Sequence, residues 1–143
     1  MLITISFTVF LCAQEASNKF YFNHLALSVK DVNRSAEFYA TVLQLPEIVK
    51  RSKLEGIRWF TLADGKELHL ISNIKKPVII NKALYVGLAT NDMDAFVKKL
   101  VSLKIMRSDW PGKTNTVNIR TDGVKQIFFQ DPDRYWVEVN DAK

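Results

Sequence analysis

The chain holds only two histidines, and both lie in strand-like apolar runs, Asn23-His24-Leu25-Ala26-Leu27-Ser28-Val29 and Glu67-Leu68-His69-Leu70-Ile71. Side chains alternate between the faces of a strand, so His24 shares a face with Ala26 and Ser28 while Leu25, Leu27 and Val29 point the other way. His69 is placed in the same manner, beside Glu67 and Ile71 and opposite Leu68 and Leu70. A third run, Tyr135-Trp136-Val137-Glu138-Val139-Asn140, sets a carboxylate opposite Val137 and Val139. Two imidazoles and one carboxylate carried on strands form a donor set for a divalent metal. Taken singly, each has a plainer reading, as a hydrogen-bonded core histidine or a solvated charge. Three residues in matching contexts favour a site.

An internal repeat supplies the elements that must position these residues. His24-Leu25-Ala26-Leu27-Ser28-Val29-Lys30-Asp31-Val32 aligns at a constant offset with Tyr85-Val86-Gly87-Leu88-Ala89-Thr90-Asn91-Asp92-Met93. The register continues through two helical stripes, Val32, Ala36, Tyr39 and Val42 in the first half and Met93, Val97, Leu100 and Leu103 in the second. Asp31 and Asp92 are natural N-caps for these helices. Further strands are expected at 48–54, 57–62 and 67–72, with Asp64-Gly65-Lys66 as a tight turn. In the second half they are expected at 116–121, 125–130 and 135–140, with turns at Asp122-Gly123 and Asp131-Pro132-Asp133-Arg134. The pattern is α+β, two βαβββ modules spanning 21–75 and 82–143 and divided near Lys75-Lys76-Pro77. Helices on one side of a sheet leave its other face free to curve around a ligand.

Composition narrows the partners. The length of 143 residues suits one domain. The net charge of +5 is scattered, in Lys50-Arg51, Lys75-Lys76, Lys98-Lys99 and near Arg120, with no aromatic-interleaved basic groove. Nucleic acid is therefore not an expected partner, whereas an anionic small molecule is compatible. Leu2 to Ala13 carry no charge, a run of signal-peptide length that is too short to span a bilayer. Residues 1–16 are accordingly read as a signal peptide, implying export, or else as an N-terminal extension of a cytoplasmic protein. Cys12 is the only cysteine, so a chain cut after it has neither a disulfide nor a thiol nucleophile.

The stretches NHLALSVKDVNRSAEFYATVLQLPEI, GKELHLIS, LYVGLATNDMDAFVKKLVSLKI and IFFQDPDRYWVEVN resemble the vicinal oxygen chelate superfamily, which includes glyoxalase I, extradiol dioxygenases and bleomycin-binding proteins. The resemblance runs from about Tyr21 onward. It implies a cupped eight-stranded mixed sheet holding one metal, with ligands from the first and last strands of each module. Residue by residue, it implies that His24, His69 and Glu138 are ligands. The fourth position falls on Tyr85, where metal-binding members usually present histidine. A neutral phenol is a poor ligand, because its pKa is about 10 and the metal must supply the free energy of deprotonation. Tyr85 can therefore be a weak ligand, a donor to metal-bound water or a substrate oxyanion, or an aromatic lining. The remaining set of two nitrogens and one carboxylate suits Zn, Ni, Mn or Fe(II).

The implied chemistry is that of a glyoxalase-like lyase or isomerase acting on a small substrate with vicinal oxygens through a metal-stabilised enediolate. Glu138 would serve as ligand and base, Tyr85 as a catalytic donor, and Glu67 could orient His69. Asn73 matches a glutathione-contacting position of glyoxalase I, but Ser28 stands where an arginine contact is wanted. Arg58, Trp59, Arg120 and Trp136 are further candidates for holding substrate, being large, polar-capable and near strand ends. Two other classes remain. A metal-free binding protein would use an aromatic cup built from Tyr85, Trp59, Tyr135 and Trp136. An Fe(II) dioxygenase would use the same triad, although Tyr85 breaks its usual histidine pair. A homodimer is expected, with modules paired either within one chain or between two.

Overall fold

The computed structural model describes residues 20–49, 54–74 and 76–143. The apolar run from Leu2 to Ala13, and with it the signal-peptide reading of residues 1–16, lies outside the described residues.

The repeat is visible as structure. Strand β1 (His24–Ser28) leads into helix α1 (Val32–Val42), and β4 (Tyr85–Ala89) leads into α2 (Met93–Ser102). Both expected N-caps form. The Asp31 carboxylate accepts from the amides of Asn33 and Arg34 at 2.9 and 3.1 Å, and Asp92 accepts from Ala95 at 2.9 Å. The helical stripes turn inward at Ala36, Tyr39 and Val42 and at Met93 and Leu100. Leu103 differs from its counterpart Val42: it lies beyond the last turn of α2, at the cap, and is exposed.

The remaining strands are β2 (Ile57–Thr61), β3 (Glu67–Ile71), β5 (Arg107–Ser108), β6 (Asn118–Ile119), β7 (Lys125–Gln130) and β8 (Trp136–Asn140). They build two mixed sheets, one of three strands in the order β1-β3-β2 and one in the order β4-β8-β7-β5 with β6 paired to β7. In each, the first strand of the module lies parallel to the last, β1 to β3 and β4 to β8. The fold class is as the sequence indicates, and among the described residues the strands divide three and five where four and four were expected. In module one the expected strand at 48–54 falls partly outside the described residues, and its neighbourhood contributes a single bridge, Glu47 to Phe60. Module two gains β5, a short polar pair lacking the apolar alternation by which strands are recognised in sequence.

The sheets bury their apolar faces in two clusters. Leu27, Phe60, Leu68 and Leu70 pack with Ala36 and Tyr39, while Ile127, Phe129, Val137 and Val139 pack with Val42, Met93 and Leu100. Phe38 of α1 and Leu43 at its C-cap border both clusters, so one helix serves both modules. Polar contacts complete the joint. Tyr39 Oη donates to Asp131 Oδ2 at 2.8 Å, Ser35 Oγ to Asp133 Oδ2 at 2.7 Å, and Tyr135 Oη to the Ser28 carbonyl at 2.9 Å. Burial pushes the Asp131 carboxyl above its ordinary range and the Tyr39 phenol well above its own, which keeps the phenol a donor. The opposite faces of the sheets carry His24, His69, Tyr85 and Glu138.

Candidate functional site

The two histidines come together on the face of β1 and β3 away from the core. The register pairs His69 with Ala26 and His24 with Glu67, so the imidazoles are diagonal neighbours on adjacent strands. Their rings stack with centroids 4.3 Å apart and planes 13° from parallel. Each ring has a polar neighbour: His24 Nδ1 lies 2.8 Å from Asn23 Oδ1, and His69 Nε2 lies 2.9 Å from Glu67 Oε2. Glu67 thus sits where it can orient His69. Trp59, opposite His69 on β2, meets that ring edge-on at 6.0 Å.

The second sheet gathers Tyr85 and Glu138. Glu138 is only 5 % exposed, a carboxylate on the face shared with Trp136, Asn140 and Phe128. Asn140 Nδ2 donates to Glu138 Oε1 at 2.9 Å. Register sets Tyr85 opposite Trp136 and Gly87 opposite Glu138. The Tyr85 ring reaches along its own strand past Gly87, where an added Cβ would lie 3.9 Å from Tyr85 Cε2. The Glu138 carboxylate raises the phenol above its ordinary pKa, chiefly through its charge and then through burial, while Arg120 pulls weakly the other way. The phenol therefore stays protonated.

Around this pair stands an aromatic wall that the sequence reading identified only in part. Tyr85 meets Phe128 and Trp110 edge-on at 5.6 and 6.0 Å. The Lys82 ammonium lies 4.7, 4.9 and 5.6 Å from the ring centres of Trp136, Phe128 and Trp110. It donates to Ser108 Oγ and to the carbonyls of Asp109 and Trp110, and burial lowers its pKa. Lys82 has no sequence signal, since it stands in an irregular linker. Beyond the wall is a cavity of about 410 Å³ bordered by Phe128, Trp136, Ser108 and Arg107. Arg107 Nε is buried and has no hydrogen-bond partner among the described residues.

Other candidates fall elsewhere. Arg58 is not on the histidine face: alternation places it with Phe60, and it is forked onto Glu47 at 2.6 and 2.5 Å with Asn33 at 3.2 Å. That ion pair holds the Glu47 carboxyl below its usual range. Asn73 is exposed in the bend after β3, and Arg120 follows β6, where it donates to Asp122 at 2.6 Å. Tyr135 is packed with the module-one core cluster and, beside Trp136, borders a second cavity away from Tyr85 and Trp59.

Within one chain the metal set is not assembled. Among the described residues no three His, Cys, Asp or Glu side chains are gathered closely enough to hold an ion. His24 and His69 make a pair on one sheet, and Glu138 is engaged with Tyr85 and Asn140 on the other. Among the described residues no helix is long and apolar enough to cross a membrane.

With two modules, each closing its first strand against its last, the chain has the architecture of a known superfamily, and its sequence agrees. The profile of the glyoxalase/bleomycin resistance protein/dioxygenase superfamily matches residues 21–139, and the chain belongs to that superfamily. No curated protein sequence matches it. Among solved structures, a glyoxalase family protein from Bacillus anthracis superposes with a TM-score of 0.68 at 18 % identity, covering 88 % of this chain and 98 % of that one. Lactoylglutathione lyase from Agrobacterium tumefaciens gives 0.65 at 18 % identity, covering 85 % and 93 %. An oxidase, ChaP-H1, gives 0.64 at 16 % identity, covering 87 % and 98 %. At these identities the likeness is one of fold.

Proposed function

We propose that this protein is a metal-dependent lyase or isomerase acting on a small substrate with vicinal oxygens, and that its site forms between module one of one chain and module two of a second. The observation that carries the reading is the Tyr85–Glu138 pair: a buried carboxylate whose charge keeps the neighbouring phenol protonated. Glu138 would take a proton from the carbon next to a carbonyl and return it to the neighbouring carbon. Tyr85 would turn its hydroxyl from Glu138 to the oxygen that gains charge. The unpartnered Arg107 Nε offers an anchor for an anionic group of the substrate. A divalent ion held by His24, His69 and Glu138 would supply the positive charge that an enediolate requires. The separation of the histidine pair from Glu138 within one chain supports completion by a second copy.

The test has two arms. Proton NMR in deuterated water should show metal-dependent exchange of the α-proton in a panel of α-hydroxycarbonyl and thiohemiacetal compounds. His24→Ala and Glu138→Ala should each abolish it. Mixing and re-pairing the two inactive variants should restore about a quarter of wild-type activity, because half of the dimers are mixed and each mixed dimer holds one intact site. No recovery in a mixture of active-site variants that dimerise normally would place the site within one chain. Exchange equally fast after chelation would remove the enzyme reading. The aromatic wall of Tyr85, Trp110, Phe128 and Trp136 favours a second reading, a small-molecule binding protein, which would show tight ligand uptake unaffected by chelator. The uncharged run from Leu2 to Ala13 supports export as the setting.

A further inference from the structure

A second, larger cavity of about 690 Å³ opens where the ends of β1 and β3 meet the start of β8. None of His24, His69, Tyr85 or Glu138 lines it, and it shares the Trp136 wall with the smaller cavity. Its lining is mixed, and the apolar part comes from Ile74, Val78 and Ile80 of the inter-module linker together with Trp136. Its rim carries three cations, Lys30, Lys76 and Arg134. None of these side chains is paired with a carboxylate among the described residues. Asp133 also borders the cavity, but its oxygens are taken by the Lys30 amide at 2.9 Å and by Ser35 Oγ at 2.7 Å. Three cations against the one carboxylate of Asp133 leave the rim with a net positive charge beside these apolar side chains.

Arg134 adds an independent observation. Its φ is 73°, in the left-handed region that an L side chain enters at a cost and glycine enters freely. Five non-glycine residues have positive φ among the described residues, and Arg134 is the one whose side chain lines either of the two cavities. The backbone there is fixed by its own bonds, the Arg134 amide donating to the Asp131 carbonyl and Gln130 Nε2 donating to the Arg134 carbonyl. The turn needs the conformation, and nothing in the turn needs the guanidinium.

We infer that the inter-module cavity is a binding site for an amphipathic carboxylate, with its apolar body against Ile74, Val78, Ile80 and Trp136 and its charged end at Lys30, Lys76 and Arg134. The cavity is of a size that suits small organic ligands. Octanoate, octanol and octylammonium are probes of one apolar body with three head groups, and calorimetric titration into the full chain separates them. Octanoate should bind about ten-fold or more tightly than octanol, and octylammonium weakest. Arg134→Gly should weaken octanoate binding about three- to ten-fold while the melting temperature stays level or rises, because the backbone strain is relieved. A purely structural arginine would give the reverse, a lower melting temperature with unchanged binding. If Arg134→Gly fails to fold, the paired change Lys30→Gln with Lys76→Gln carries the same readout at exposed positions. Equal binding of octanoate and octanol, or affinity unchanged by removal of the rim cations, would overturn the assignment.

Discussion

Tyr85 occupies in the second repeat the position that His24 holds in the first, and the two side chains have taken different partners. Tyr85→Phe removes one oxygen and keeps the ring contacts with Trp110 and Phe128. If the hydroxyl serves the reaction, turnover should fall about ten- to a thousand-fold with metal content unchanged by elemental analysis. Loss of both would make the phenol a ligand, and no change in either would leave it as lining. At this scale the sequence was informative wherever strand alternation decides a face. That rule separates His24, His69 and Glu138 from the leucines and valines beside them. It also shows why Arg58 and Trp59 cannot both serve the site: they are consecutive on β2, and Trp59 is the one that meets His69. Lys82, Arg107 and Phe128 were not legible as site residues, because their roles come from non-local packing around Trp136 and Tyr85.

At the scale of elements, the two caps differ in what they hold. Asp31 receives two amides and Asp92 one, although their sequence contexts match. Asp31→Ala should cost about 0.5 to 2 kcal/mol in urea denaturation, and Asp92→Ala should fall at the lower end of that range. Equal losses would mean that the second amide adds nothing. The helices and long strands were legible because each is an apolar pattern several turns or residues long. The short β5 was not, and β6 was legible only as a longer strand. Arg107-Ser108 and Asn118-Ile119 owe their pairing to β7 and not to any preference of their own, and the strand expected over 116–121 contracts to two residues.

At the scale of the whole molecule, the repeat indicated the α+β fold class, but not how its two sheets are joined. The joint is made by side chains far apart in the chain: Tyr39 with Asp131 is separated by 92 residues, and Tyr135 with Ser28 by 107. No local pattern encodes such a contact. The ordering in time follows from these separations. Pairing within β7 and β8 closes a short loop, whereas the Tyr39–Asp131 bond must wait until both modules are in place. Tyr39→Phe, which leaves the Asp131 carboxylate one donor short, should destabilise the protein by about 1 to 3 kcal/mol. In stopped-flow chevrons that loss should appear as faster unfolding with a nearly unchanged folding rate. A slowed folding limb instead would put the joint in the folding nucleus. During synthesis, module one emerges from the ribosome first, with Ser28, Ser35 and Tyr39 facing water until the turn at Asp131 to Tyr135 has been made.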